Sequence, residues 1–357
     1  MKNKKVLLVN EGYSDNLGDQ AIKLATEDLL SHFKLTSVFE DLTRTSSLPE
    51  PLIRGTPKYK KKRLRFISYF AWIFRNFRRV FKATVVDFDF AIIGGGQLIL
   101  SNSYFPIAFF TWVFFLKLFN KKIVVFSVGV AERFNSLDHF LFSFALKMAD
   151  SIFVRDLESQ LKLINNFGIS NVKIMPDVAY YLKERSVLNN KINSTKAIVG
   201  IVDYEVYARY VDELKIELLT EADYMYSWSN IISELSRHYE QVGLVYTTST
   251  DYHQSQRFYD YLKENHIQGK IQLESIASLE NFIEILKESD LIVSGRMHGL
   301  ILGQVFNCKI RPWVISLKIH NFIDEFNKSN IHFNEEYSSR MSIEVLKSFQ
   351  GLGLLND

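Results

Sequence analysis

Ser294-Gly295-Arg296-Met297-His298-Gly299-Leu300-Ile301-Leu302-Gly303 decides how the chain is read. It follows Asp290-Leu291-Ile292-Val293, a short apolar run of the kind that forms a buried parallel strand, and it opens the close-packed helical sequence Gly299-Leu-Ile-Leu-Gly-Gln-Val-Phe. A strand, a polar turn and a helix meet here. In an open α/β sheet, ligands bind beyond the carboxyl ends of strands, where helix N-termini offer free N–H groups to anions. Arg296 supplies a permanent planar grip on phosphate or carboxylate, and His298 can move a proton near neutral pH. A structural salt bridge and cap would use the same residues, so their neighbours must decide.

Composition narrows the choice. The chain has 357 residues, 47% apolar and 23% charged, enough for two domains with separate cores. A formal charge of +3 argues against general nucleic-acid binding. Cys308 is the sole cysteine, which excludes an intrachain disulfide and points to a reducing, cytoplasmic setting. Val6-Leu-Leu-Val9 is too short for an export signal and reads as a first strand.

Outward from the opening stretch, the same pattern recurs. Val6 to Val9 leads through Asn10-Glu-Gly-Tyr-Ser-Asp-Asn-Leu-Gly-Asp into a helix, with Asn16 to Asp19 as its cap region. That turn is not G-x-G-x-x-G and implies no dinucleotide. Asp19 is either a helix N-terminal charge or a site carboxylate. Phe88 to Ile93 runs into Gly94-Gly95-Gly96-Gln97, read as a strand-to-helix turn whose bare backbone either meets an anion or packs tightly. Ser151 to Val154 delivers Arg155 to a strand end, as Ile292 and Val293 deliver Arg296, and Met175-Pro176-Asp177 closes another strand with a turn carboxylate. Residues 1–182 form a first domain, 183–196 a polar linker and 197–320 a second domain. Residues 321–357 read as helices returning to the first domain. In both halves strands alternate with helices, which means parallel, right-handed units. Residues 311 to 318 are read as a last strand bearing Lys318.

Residues 58–81 interrupt this order. Lys58, Lys60, Lys61, Lys62 and Arg63 precede a segment that mixes Phe66, Phe70, Trp72, Phe74, Phe77 and Phe81 with Arg65, Arg75, Arg78 and Arg79. Such a basic aromatic helix lies on an anionic membrane surface or packs as a core helix with a solvated basic face. Tyr104 to Phe119 is strongly aromatic, yet Pro106 and Lys117 leave it short of the roughly 18 apolar residues that span a bilayer.

Taken together, Asn16-Leu-Gly-Asp-Gln-Ala-Ile22, Gly94-Gly-Gly-Gln-Leu-Ile99, Ser127-Val-Gly129, Val154-Arg-Asp-Leu-Glu-Ser159, Pro176-Asp-Val-Ala-Tyr180 and Ser294-Gly-Arg-Met-His-Gly299 occur in an order that resembles the polysaccharide pyruvyl transferases. The resemblance implies an α/β fold of two Rossmann-like domains facing across a cleft, similar to the GT-B architecture. It implies transfer of the pyruvyl unit of phosphoenolpyruvate, as co-substrate and without a further cofactor, onto two hydroxyls of a sugar, free or lipid-linked. Arg296 and His298 match the family's signature Arg and His. The donor carries a carboxylate and a phosphate, for which Arg155, Arg296, Lys318, Asn16 and the Gly94, Gly95 and Gly96 backbone are the expected partners. His298 is the expected acid/base, with Asp19 beside it, and Asp177 and Gln97 are expected at the acceptor. No clustered ligand set for a metal is seen, and no nucleic acid is expected. Such a protein would work in the cytoplasm, peripheral to the inner face of the plasma membrane where its acceptor is lipid-linked. A GT-B glycosyltransferase using a nucleotide-sugar and a non-catalytic carbohydrate-binding protein remain as alternatives.

Overall fold

The computed structural model describes residues 4–45, 50–53, 62–102, 104–185, 194–214, 216–328 and 335–355. The basic residues Lys58, Lys60 and Lys61 and the middle of the expected linker, 186–193, lie outside the described residues.

The first domain alternates β1 (Lys5–Asn10), α1 (Leu17–His32), β2 (Thr36–Asp41), α2 (Lys62–Thr84), β3 (Phe90–Ile99), α3 (Phe105–Leu118), β4 (Lys122–Val130), α4 (Ser136–Met148), β5 (Ser151–Val154), α5 (Leu157–Phe167) and β6 (Val172–Ile174), then a 3-10 helix, Val178–Arg185. The second runs β7 (Lys196–Gly200), α6 (Tyr204–Leu214), α7 (Glu221–Leu235), β8 (Gln241–Val245), α8 (Ser249–Glu264), β9 (Ile271–Leu273), α9 (Leu279–Glu288), β10 (Leu291–Ser294), α10 (Met297–Val305), β11 (Lys309–Pro312) and α11 (Leu317–Lys328). A last helix, α12 (Glu335–Gly351), follows.

The strands form two sheets, ordered β2-β1-β3-β4-β5-β6 and β11-β10-β7-β8-β9. Their pairings are parallel throughout. Strand order reverses between β1 and β3 in the first sheet and between β7 and β10 in the second, and crevices for ligands open at such reversals.

Three apolar layers hold the molecule. One face of the first sheet packs on α2, α3, α4 and α5 around Trp112, Phe109 and Phe142. One face of the second packs around Trp228, Tyr224 and Phe258. The third layer runs between the two sheets and draws Ile22 and Leu29 of α1, Phe282 of α9 and Ile301 of α10 into one cluster. Phe349 of α12 joins that cluster and meets Phe90 edge-on, the ring centroids 5.6 Å apart. The last helix therefore lies against the first domain, while α11 packs beside α10 and α6.

Three local readings of the sequence are corrected, and one helix is added. The triple glycine is not a strand-to-helix turn, because β3 continues through it to Ile99 with Gly95 and Gly96 at φ of 83° and 75° and the register to β4 slipping beyond Gly96. Polar residues 203–221 contain α6, whose Val206, Tyr207 and Val211 are buried. The last strand ends at Pro312, so Lys318 stands in the first turn of α11 rather than on a strand. Arg79 does not belong to the solvated basic face of α2: its guanidinium turns inward to the Asp41 and Leu42 carbonyls at 2.6 and 3.0 Å.

The glycines of β3 are set by packing. A Cβ on Gly94 would lie 2.0 Å from the Phe126 carbonyl oxygen, and one on Gly95 2.0 Å from Ile22 Cγ2. Gly96 is roomier, with Ile22 Cδ1 at 3.4 Å and Asp19 Oδ1 at 3.5 Å. Gly95→Ala should therefore destabilise by more than about 3 kcal/mol, combining a clash with a left-handed backbone. Gly96→Ala should cost about 1–2 kcal/mol. Urea unfolding of both variants checks the order, and equal losses would contradict it.

Candidate active site

The site is assembled where the first turn of α1, the end of β5, the turn before the 3-10 helix and the start of α10 meet. Asn16 caps α1, its side-chain oxygen accepting from the Gly18 N–H at 2.9 Å. Two residues on, Gly18 presents bare backbone to the second domain. A Cβ there would lie 2.3 Å from Nδ1 of His298, so the imidazole rests directly on the helix turn. His298 is 9% exposed.

On its other edge, His298 Nε2 lies 3.3 Å from Oδ2 of Asp177, which comes from the first domain. Burial pushes the Asp177 carboxyl up, but the facing His298, its hydrogen bond and Arg155 outweigh burial and hold it at about 2. An ionised carboxylate only accepts, so Nε2 is the donor across this contact. Asp177 is fixed in turn by the Ala179 N–H at 3.1 Å. The turn that carries it hangs on Ser127, whose hydroxyl donates to the Pro176 carbonyl at 2.8 Å and accepts from the Val178 N–H at 3.2 Å. Ser127 adopts φ of 52°, a left-handed conformation for a side chain held from both sides.

Arg155 lies behind this pair. Its Nε donates to Asp156 at 3.0 Å and its Nη1 stands 3.8 Å from Asp177 Oδ2. A Cβ on Gly129 would fall 2.6 Å from the guanidinium carbon, so Gly129 makes the space in which the group lies. Asp156 also caps α5 through the Ser159 N–H at 2.7 Å. The residue is 9% exposed, yet Nη1 has no hydrogen-bond partner among the described residues. A buried guanidinium N–H without an acceptor is a costly arrangement that an anionic ligand would relieve.

Lys318 of α11 joins the same field. Burial and the neighbouring Arg155 lower its ammonium to about 7, against the pull of Asp177, Asp19 and Asp156. Asp19, in the first turn of α1, accepts from the Ser14 hydroxyl at 2.9 Å. Burial raises its carboxyl above the ordinary range, although His298, Ser14 and Lys318 oppose the shift. The structure thus brings together His298, Asp177, Arg155, Asp19 and Lys318, with Gly96 at the edge beside Asp19.

Arg296 stands apart from them. Its guanidinium makes a two-pronged pair with Asp251 of α8, Nε at 2.9 Å and Nη2 at 2.6 Å. Both line a small crevice at the strand reversal of the second sheet, with Gly200, Ser294 and Gly299. Gln97 is half-buried on β3 and Gly94 and Gly95 are consumed by packing. Asp251 was not singled out from the sequence, since no local signal marks a helix residue that pairs 45 positions away.

A second carboxylate cluster flanks the site at the ends of β1 and β2. Glu11 is buried, accepting from the Thr43 N–H and hydroxyl at 3.0 Å each. Burial, with the Asp41 charge beside it, lifts its carboxyl to about 8, so the folded protein keeps a proton there that the unfolded chain gives up above about 4.5. Stability from this group is accordingly present below the unfolded value and lost as pH rises toward 8. Glu11→Gln can accept from the Thr43 N–H through its amide oxygen and donate to the Thr43 hydroxyl through its NH2, and should be more stable than the parent by about 1–3 kcal/mol at alkaline pH, with the gap closing in acid. Urea unfolding on both sides of that window tests the sign.

Comparison with known proteins places this geometry. The family model for polysaccharide pyruvyl transferase matches residues 16–310. No curated protein sequence matches the chain. Among solved structures it is similar to the S. aureus MnaA–UDP co-structure, at 13% identity and TM-score 0.55 over 99% of this chain and 98% of that one. It is similar to UDP-GlcNAc 2-epimerase from Neisseria meningitidis at 11% identity and TM-score 0.56, covering 97% and 100%. The sucrose-phosphate synthase of Thermosynechococcus elongatus aligns at 8% identity and TM-score 0.55, covering 99% and 100%. At these identities the structures show the fold alone, two Rossmann-like domains in the GT-B arrangement. The match of the family model over most of the length does more: the chain belongs to the polysaccharide pyruvyl transferase family.

Proposed function

We propose that the protein transfers the pyruvyl unit of phosphoenolpyruvate onto two hydroxyls of a sugar, closing a cyclic ketal and releasing phosphate. The observation that carries this reading is the unsatisfied, buried Nη1 of Arg155 beside Lys318, two cationic groups set against the His298–Asp177 pair. A donor bearing both phosphate and carboxylate satisfies two such cations at once. The methylene carbon of the donor gains a proton while its C2 takes the first hydroxyl oxygen. Phosphate then leaves with the electrons of the C2–O bond, and the second hydroxyl oxygen closes the ring. Both hydroxyls lose their protons, one balanced by the new methyl hydrogen and the other carried off with phosphate or solvent.

In this scheme His298 moves the proton, its ring oriented by Asp177 at Nε2 and seated against Gly18 of α1. Asp19, whose burial favours the protonated form, is placed to hold a proton beside it. Arg155 and Lys318 bind the anion. Arg296 acts at one remove, holding the start of α10 through Asp251, so it positions His298 rather than gripping the donor.

A nucleotide-sugar glycosyltransferase is the second reading, favoured by the crevice at Gly200, Ser294 and Arg296 and by the UDP of the MnaA co-structure. Against it, Asp251 already occupies the guanidinium there and adds a fixed negative charge where a diphosphate would lie.

Acceptor-dependent phosphate release from phosphoenolpyruvate, with mass spectrometry of the product, tests the reaction. His298→Ala should lower it by about 10²–10⁴-fold. Arg155→Ala should raise the KM for the donor more than it lowers kcat. Unchanged turnover in His298→Ala, or transfer from a nucleotide-sugar instead, would sink the proposal. The pH dependence supplies a further check. A bound dianion raises the Lys318 ammonium from about 7, so donor binding takes up a proton, and affinity should fall about tenfold per pH unit above that value. Calorimetry in buffers of different ionisation enthalpy reads the uptake directly, and Lys318→Met should abolish it.

A further inference from the structure

The face of the first domain built by α2, α3 and α4 is apolar where it meets solvent. On α2, Phe74 is 72% exposed, with Phe77 and Phe81 at 50% and 45%. Positions 74, 77 and 81 fall on one stripe of a helix. The stripe continues across neighbouring helices through ring contacts: Phe77 and Phe81 on Phe115 at 4.6 and 5.6 Å, Phe115 on Phe114 at 5.6 Å, and Phe114 on Phe110 at 5.9 Å. Phe110 meets Phe144 of α4 at 5.9 Å, and Phe140 adjoins it at 6.4 Å. Leu118 of α3 and Phe140 of α4 are 60% and 61% exposed. A connected aromatic surface over three helices exceeds the scattered apolar exposure of an ordinary soluble face.

We infer that this face docks in the interfacial region of a bilayer carrying anionic headgroups. Charge selects that occupant. Arg75, Arg78 and Lys82 each follow an exposed Phe by one residue, about 100° round the helix, and all three are exposed. They form a basic row along the edge of the aromatic stripe. Neither α2 nor α3 contains an Asp or Glu, and the single acidic residue of α4, Asp138, is held by Ser101 and Asn135. A second copy of the chain would set basic row against basic row, whereas anionic lipid neutralises it. No helix among the described residues is long and apolar enough to cross a membrane, so the contact is with the surface layer.

The face is also tied to the site's flank. Trp72 of α2 donates to the Thr43 carbonyl at 2.8 Å, and Trp112 of α3 to the Leu42 carbonyl at 3.3 Å. Thr43 is the residue that Glu11 holds. A bilayer under these helices would therefore lie beside the crevice of the first sheet, within reach of a sugar carried on a lipid. This inference is independent of the reaction proposed above.

Flotation tests it with the full chain and vesicles of phosphatidylcholine, alone or mixed with phosphatidylglycerol. The protein should float with the mixed vesicles and much less with the neutral ones. A Phe74→Ser, Phe114→Ser, Phe140→Ser variant and an Arg75→Glu, Arg78→Glu variant should each partition at least about tenfold less, with thermal unfolding unchanged. Wild-type protein that stays with the soluble fraction in both mixtures overturns the inference. So does sedimentation showing a dimer that the Phe variant dissolves, which would assign the face to a second copy.

Discussion

Everything at the site depends on how closely one imidazole can approach one helix turn. His298 belongs to the second domain, yet its ring lies where a Cβ of Gly18 would be and its Nε2 reaches Asp177, so both of its edges are set by the first domain. Neither domain alone contains the arrangement. The domains are kept in register by the apolar layer between the sheets and by a few directed bonds. The Leu17 N–H donates to the Thr247 carbonyl at 2.9 Å, and the Tyr180 hydroxyl to Gln304 at 2.8 Å. The first of these uses an orphan N–H of the first turn of α1, the same turn that receives His298.

The charges around that contact are deliberately out of balance. Burial raises Asp19 and lowers Lys318, while Asp177 is held ionised by its neighbours. Only Lys318 is thereby brought close to neutral, lowered to about 7 by burial and by Arg155, while the carboxylates around it are pushed in opposite directions. Arg155 completes the field, its guanidinium anchored at Nε by Asp156 and open at Nη1.

Much of this was legible in the sequence, and the exceptions have physical causes. Buried parallel strands read as short apolar runs, so β1, β5 and β10 and the residues at their ends, Arg155 and His298 among them, were found directly. The glycines of β3 misled because three absent side chains look like a turn, whereas here they admit Ile22 and the Phe126 carbonyl to an unbroken strand. Lys318 was placed on a strand because the apolar run continues past Pro312, where pairing with β10 stops. The role of Arg296 was hidden in a partner on another helix, and that of Ser127 in a backbone angle no composition reveals. In α6, Val206, Tyr207 and Val211 carry a helical period that flanking Asp, Glu and Lys residues obscure.

The placement of α12 has a consequence for how the chain is built. Met341, Val345 and Phe349 of α12 fill the layer that also holds Phe90 of β3, and the end of the chain is pinned by Lys4 on the Leu354 carbonyl at 2.9 Å. The first domain thus borrows part of its core from residues that follow the whole of the second. A chain cut after α11 would lack those side chains, so the first sheet is finished only by the last stretch to be made.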